Sequence, residues 1–362
     1  MRRCVLLGLF LLIGLMTRRA SAQTSTVPYD TLELATGPVD VADTPEKRTA
    51  ALALLEQARQ SLSLHMPGGP PFDLKVSFSS SGTTQYSGAG QMEEMWASMS
   101  QMRWTAHVGS YNEARVFTGS AGYDSNPHAY LPLRVQMLRE ALFGPVPGRF
   151  PYATIRTVAA TWKGVPVTCV LVSGTRAEPT SGTGRRWQEE EFCIDPKNGL
   201  LQTSSVAPGM YTVYDYGGAY QFHGRVIPRQ FAVTVAGATA LQAQIDALSD
   251  LDAKQPNLFA PGDGMGMPAI VIRGPQRFSQ VLKSDPQMSS APASPVIVHA
   301  VLSMEGKVLE SEALQTSDRT LAEAALAAVN NTQYESTSEP IQREIFVNVM
   351  FRPGEPASNT QQ

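Results

Sequence analysis

Alternation of apolar and polar residues with a period of two dominates this chain. Phe72, Leu74, Val76 and Phe78 alternate with Asp73, Lys75 and Ser77, the pattern of a strand with one buried face. Stretches of the same kind predict strands over 88–97, 102–108, 114–118, 200–206, 211–216, 226–235 and 242–248. Residues 154–162 and 165–173 form a hairpin about the Lys163-Gly164 turn, and Asp195-Pro-Lys-Asn-Gly199 is a turn whose Asn-Gly pair favours positive φ. Helical spacing interrupts this pattern twice. Thr44 caps and Pro45 opens a helix running to Leu64, with Ala50, Leu54, Leu55, Ala58 and Leu62 as its apolar stripe. Tyr130 to Phe143 reads as a second helix, stopped by Gly144-Pro-Val-Pro-Gly148.

The end of the chain has a different order. Pro295 to Leu302 is a β-branched run, Met304-Glu-Gly306 a turn, and Lys307 to Leu314 a second strand. Ser317 or Asp318 can cap a helix whose apolar face is Leu321, Ala324, Ala325, Ala328 and Val329. Ile341 to Phe351 is a last strand, with Ile345, Val347, Val349 and Phe351 on one face and Glu344, Phe346, Asn348 and Met350 on the other. The expected fold class is α+β: a curved antiparallel sheet over helices across 45–251, and a small ββαβ unit across 295–352. Residues 252–294, rich in Pro, Gly and Ser, read as a linker with one short strand near 269–273. Residues 353–362 are a disordered tail.

Composition adds a compartment. Met1-Arg2-Arg3, the apolar run from Cys4 to Met16 and Ala20-Ser21-Ala22 read as a secretory signal cleaved after Ala22, with residues 23–44 a flexible lead. An uncleaved membrane anchor is the alternative, but the run is shorter than the about 20 residues of a spanning helix. A periplasmic protein is therefore expected. Losing Arg2, Arg3, Arg18 and Arg19 takes the net charge from −3 to −7, which argues against nucleic acid or anionic lipid as partner. Two of the three cysteines remain, Cys169 and Cys193. If their strands pair antiparallel about a loop centred near Ser181, the two cysteines face each other, and Val170, Val172, Phe192 and Ile194 share the core side. A disulfide is expected in an oxidising compartment, and two unpaired buried thiols are the alternative.

Catalytic chemistry finds no support. The chain has no G-x-S-x-G elbow, H-E-x-x-H pair or P-loop. Gly182-Thr-Gly-Arg-Arg186 joins two strands, with no helix behind it to present amides to an anion. His65, His107, His128, His223 and His299 lack ligand spacing, and Met92, Met95, Met99 and Met102 suit a core better than copper. Glu189-Glu190-Glu191 alternates across a strand, so at least Glu190 needs an explanation; a charged, solvated strand at a sheet end open to water is expected rather than a general acid. No enzyme, metal or cofactor is expected.

Two resemblances narrow the function. The strand ending His299-Ala-Val-Leu302, the Gly306-Lys-Val308 turn, the helix from Leu321 to Val329 and Val347 to Phe351 resemble the C-terminal domain of the TonB family. Only Tyr334 keeps that family's aromatic segment after the helix. The resemblance implies that an extended segment of an outer-membrane receptor adds to the edge of the last strand, at Arg343, Ile345, Val347 and Val349. Gly90 to Trp96, Arg103-Trp104, Cys193 to Leu200, Tyr214-Asp-Tyr216 and Gly224 to Pro228 resemble the LolA/RseB type of lipoprotein-carrier fold. That resemblance implies a concave apolar face, here with Met92, Trp96 and Trp104, able to hold a lipidated or hydrophobic ligand. The order of the two parts resembles TonB-domain proteins of environmental bacteria. The expected function is thus a non-catalytic adaptor binding an extended partner, with a soluble carrier as the alternative.

Overall fold

The computed structural model describes residues 40–82, 85–127, 129–148, 154–174, 185–267, 269–284, 295–315 and 319–353. The secretory signal, most of the lead, the helix cap at Ser317 or Asp318, His128 and the C-terminal tail fall outside these residues. No helix among the described residues is long and apolar enough to cross a membrane.

The first strands are β1 (Asp40–Val41), β2 (Phe72–Ser80), β3 (Gly88–Ser98), β4 (Gln101–Val108), β5 (Tyr111–Thr118) and β6 (Ala121–Asp124). Next come β7 (Thr154–Trp162), β8 (Val165–Ser173), β9 (Glu190–Ile194), β10 (Leu201–Ala207) and β11 (Met210–Asp215). A short hairpin, β12 (Tyr220–Phe222) and β13 (Arg225–Ile227), precedes β14 (Gln230–Val235) and β15 (Ala238–Asp250). The C-terminal strands are β16 (Val271–Ser284), β17 (Val296–Leu302), β18 (Val308–Gln315) and β19 (Ile341–Pro353). The helices are α1 (Pro45–Leu62), α2 (Leu133–Phe143) and α3 (Arg319–Asn331).

Thirteen strands form one antiparallel sheet in the order β1-β7-β8-β9-β10-β11-β14-β15-β2-β3-β4-β5-β6. Its inner face carries Phe72, Leu74, Val76, Phe78, Trp96, Val170, Phe192, Phe231 and Ile245, packed with α1 and α2 into one core. Thr44 caps α1 by accepting from Lys47 N at 3.3 Å. The buried stripe of α1 is Ala51, Leu55, Ala58 and Leu62, so Ala50 faces solvent and Leu54 is only half-buried. Helix α2 starts later than expected because Pro132 is its N-cap residue. Gly199 adopts φ +73°, and a Cβ there would lie 2.5 Å from the Gln57 side chain of α1, so only glycine fits this turn.

The α+β class does not hold. The protein is mostly β, with three helices among the described residues and one very large antiparallel sheet. Part of the difference lies in the stretch expected to be a linker. Residues 271–284 form β16, which runs parallel to β19 from Val271↔Ile341 to Ser284↔Pro353. Gly274-Pro275 suggested a break, but the strand absorbs it as a register shift between Arg273 and Gln276. The C-terminal sheet therefore has the order β16-β19-β17-β18 rather than three strands. Its α3 side buries Val296, Val298, Ala300, Ile345, Val347 and Val349 against Leu321, Ala325 and Val329.

The cysteine register is as expected. Cys169 pairs directly with Cys193, and the two sulfurs form a disulfide. Val170, Val172, Phe192 and Ile194 lie in the main core, whereas the disulfide sits on the outer face with Val158, Trp162, Leu171 and Tyr211. With a sequence separation of 24 between the cysteines, chain-entropy reasoning gives the bond about 3 kcal/mol. Cys169→Ala/Cys193→Ala should therefore lower the urea midpoint by a corresponding amount, and intact mass without reduction should show the native chain lighter by two hydrogens.

Candidate functional site

The C-terminal sheet presents its second face to α2 and the inner side of the large sheet. This face carries Ile297, His299, Glu310, Glu312, Leu314, Glu344 and Phe346, and three of these, Ile297, Leu314 and Phe346, join the main core. The rest of the seam is unusually polar for a buried contact. Glu310 and Glu312 share the inward parity of β18 with Leu314, and that parity is the signal from which their burial could have been read.

Helix α2 is the centre of the seam. Its N-cap, Pro132, supplies no side-chain bond. Instead Glu310 Oε2, 177 positions later, accepts from Leu133 N at 2.8 Å, placing a carboxylate at the positive end of the helix. Arg134, 2% exposed, donates to both oxygens of Glu312 at 2.9 and 2.7 Å. Glu312 also lies 3.5 Å from His299 Nδ1, while His299 Nε2 is 2.8 Å from Glu344 Oε1. Gln342 brackets Leu131, accepting from its N at 2.7 Å and donating to its O at 2.8 Å. Arg277 of β16 stands over the Phe346 ring, lies 3.7 Å from Glu190, and donates to Trp187 O at 3.3 Å and to Val206 O.

These contacts order the protonation states. Burial alone pushes the His299 imidazole down, but Glu312 and Glu344 on either side more than offset it and hold it at about 9. Burial alone pushes Glu312 up, but His299 and Arg134 hold its carboxyl down at about 2. Glu190 and Glu310 are raised, mainly by burial. The run Glu189-Glu190-Glu191 is explained by three arginines, Arg156, Arg277 and Arg185 in that order.

Two cavities lie along the seam. One of about 260 Å³ is lined by Leu131, Gln136, Arg139, Glu140, Phe143, Ile272, Gly274 and Glu344. The other, about 250 Å³, lies between Pro127 and Tyr130 on one side and Met304, Leu309 and Ile341 on the other. Cys169, Glu191 and Cys193 have ligand atoms close together, but both sulfurs are held in the disulfide and cannot serve a metal.

The residues singled out from sequence occupy different places. Met92, Trp96 and Trp104 lie on the inner face but are fully covered. Trp96 stacks on Phe72 at 5.5 Å and near His65 at 5.6 Å, and Arg139 covers the Trp104 ring at 4.4 Å. Arg343, Ile345, Val347 and Val349 do not form an edge. Strand β19 is paired on one side with β17 and on the other with β16, so its amides and carbonyls already have partners. Tyr334 packs beside Phe278 of β16 at 5.7 Å and donates its backbone N–H to Gly306 O at 3.0 Å.

No family model matches the chain, a TonB-type domain included, and no curated protein matches it either. Solved structures overlay on its N-terminal part. A LolA superfamily protein from Nitrosomonas europaea is 10% identical, with a TM-score of 0.37 over 58% of this chain and 97% of that one. A putative outer membrane lipoprotein-sorting protein domain from Vibrio parahaemolyticus is 8% identical, with a TM-score of 0.34 over 58% and 97%. MucB, also solved in complex with MucA(peri), is 14% identical, with a TM-score of 0.27 over 60% of this chain and 64% of its own. The likeness is one of coarse fold.

Removing one partner of the buried pair leaves the other charge stranded, so Arg134→Met should cost about 3–5 kcal/mol in chemical denaturation. The pH dependence has a definite sign. Because the folded-state value of His299 is raised to about 9, its contribution is complete below the unfolded value near 6.5 and lost as pH rises through 9. The stability difference between wild type and His299→Gln should shrink by about 3 kcal/mol between pH 6 and pH 10.

Proposed function

We propose that this chain is an exported, non-catalytic binding protein that carries a hydrophobic or lipidated ligand on the inner face of its large sheet. The C-terminal unit acts as a built-in cover over that face. One observation supports this reading above the others: beside the apolar contact of Ile297, Leu314 and Phe346 with the main core, the cover is seated through ion pairs and hydrogen bonds. Arg134–Glu312, His299–Glu344, Glu310 on the α2 N-terminus and Gln342 on Leu131 are all polar. Each such group can be rehydrated when the surfaces part, which makes separation far cheaper than opening an apolar core of equal area. On the inner face Met92, Trp96 and Trp104, covered here by Phe72, His65 and Arg139, supply apolar surface of the kind an acyl chain or hydrophobic peptide would contact.

The adaptor reading loses its geometric basis, because β16 already fills the side of β19 where an extended segment was expected to add. The closed form leaves cavities of only about 250–260 Å³ at the seam, below the about 300–1,000 Å³ typical of ligand sites. Ligand capture by a carrier of this kind therefore requires the cover to move, and the closed state reduces apparent affinity by the fraction of open molecules.

Titration of the exported chain with a dansyl-labelled fatty acid tests this. Glu310→Ala removes the α2 cap from the cover side at a cost of about 1 kcal/mol, and should tighten apparent binding roughly fivefold. Absence of binding in both proteins, or equal binding in both, would sink the covered-carrier reading.

A further inference from the structure

The cavity between α2 and the strands β16 and β19 has a donor–acceptor imbalance that the fold itself leaves unresolved. Gln136 and Glu140 lie one turn apart on the same side of α2, and both line it. Gln136 is 6% exposed, and its Nε2 donates to Leu131 O at 2.7 Å. That bond fixes the amide, leaving Oε1 as a buried acceptor without a hydrogen-bond partner. The Glu140 carboxyl takes no hydrogen bond or ion pair from any described residue. Glu344 contributes a second carboxylate, whose Oε1 is engaged by His299. The one cation in the wall, Arg139, is committed elsewhere, at 2.6 Å from Glu94. Leu131, Phe143 and Ile272 supply apolar walls. Gly274 brings the β16 backbone against Glu344, where a Cβ would lie 2.5 Å from the Glu344 Cβ.

We propose that this cavity is a binding site for a small organic cation with several N–H donors, a primary alkylammonium above all. Its ammonium is held by Glu140, Gln136 Oε1 and Glu344, and its alkyl part lies against Phe143 and Ile272. An ammonium supplies three donors and no acceptor, the complement of this wall. An inorganic divalent ion suits it less, because half the lining is apolar and the wall offers fewer oxygens than the about six to eight that calcium takes. Burial, then the nearby Glu344 charge, push the Glu140 carboxyl well above the usual range against the opposing pull of His299, so a cation seated beside it would favour its charged form. The site exists only when the C-terminal unit is seated, since Ile272, Gly274 and Glu344 come from it. It is therefore independent of whether a hydrophobic ligand binds after the cover moves.

Calorimetric titration of the exported chain with n-butylammonium chloride, with n-butanol, sodium butyrate and calcium chloride in parallel, tests the site. Butylammonium should bind saturably with one-to-one stoichiometry and raise the thermal midpoint, with butanol and butyrate inert. Glu140→Gln preserves shape and should weaken binding roughly 10- to 100-fold. Gln136→Met removes the orphan acceptor while Gln342 still serves Leu131 O, so the fold is kept and binding should weaken severalfold. Lack of saturable butylammonium binding, equal binding of the neutral or anionic analogue, binding of calcium alone, or an unchanged affinity in Glu140→Gln would each overturn the assignment.

Discussion

Helix α2 cannot complete itself, and the tertiary structure turns on how that is solved. Its first amides have no cap of their own, and its second residue is an arginine in a position with almost no water. Both demands are met from the far end of the chain, by Glu310 and Glu312 of β18. A buried guanidinium and an uncapped helix end are costly unless paired. Their partners therefore tie the C-terminal sheet to α2 in one register. His299 and Glu344 extend the same network across the sheet, and Phe346 stacks on the His299 ring at 4.5 Å.

The two faces of the large sheet are managed differently. On the outer face, an apolar cluster around the Cys169–Cys193 disulfide and the Arg156–Glu189 pair holds strands β7 to β11. That side is covalently and electrostatically closed. The inner face is apolar where α1 packs on it and becomes charged toward α2 and the C-terminal sheet, with Glu94 meeting Arg139 of α2 and Glu190 meeting Arg277 of β16. A surface that is apolar at depth and polar at its rim is suited to being covered and uncovered. The functional reading and the cation site both arise from this gradient, one from the apolar floor and the other from the acceptor-rich edge.

Much of the architecture was legible from local pattern. Strands β2 to β4 follow period-two burial, and the Thr44-Pro45 start and Gly199 turn obey backbone sterics that depend on a few neighbouring residues. The opposition of Cys169 and Cys193 could be read because a hairpin's register follows from counting outward from its loop. The split of β19 into an Ile345-Val347-Val349 face and a Glu344-Phe346-Asn348 face was equally clear. The run Glu189 to Glu191 was expected to be solvated; it is largely buried because Arg156, Arg277 and Arg185 reach it from other parts of the chain.

What the chain's pattern could not reveal is which surfaces meet. Strand β16 looked like linker because Gly274-Pro275 interrupts it and its parallel partner lies some 70 residues away, with no turn to announce the pairing. That one pairing converted an expected open edge at Arg343 to Val349 into an interior strand. Arg134, Gln136 and Glu140 read locally as ordinary helical residues; their meaning comes from Glu312, Glu344 and Ile272 approaching from the other sheet. Periodicity specifies which face of an element is buried, because it depends only on backbone geometry. The identity of the opposing group depends on long-range packing, and here that packing decided both the cover and the site.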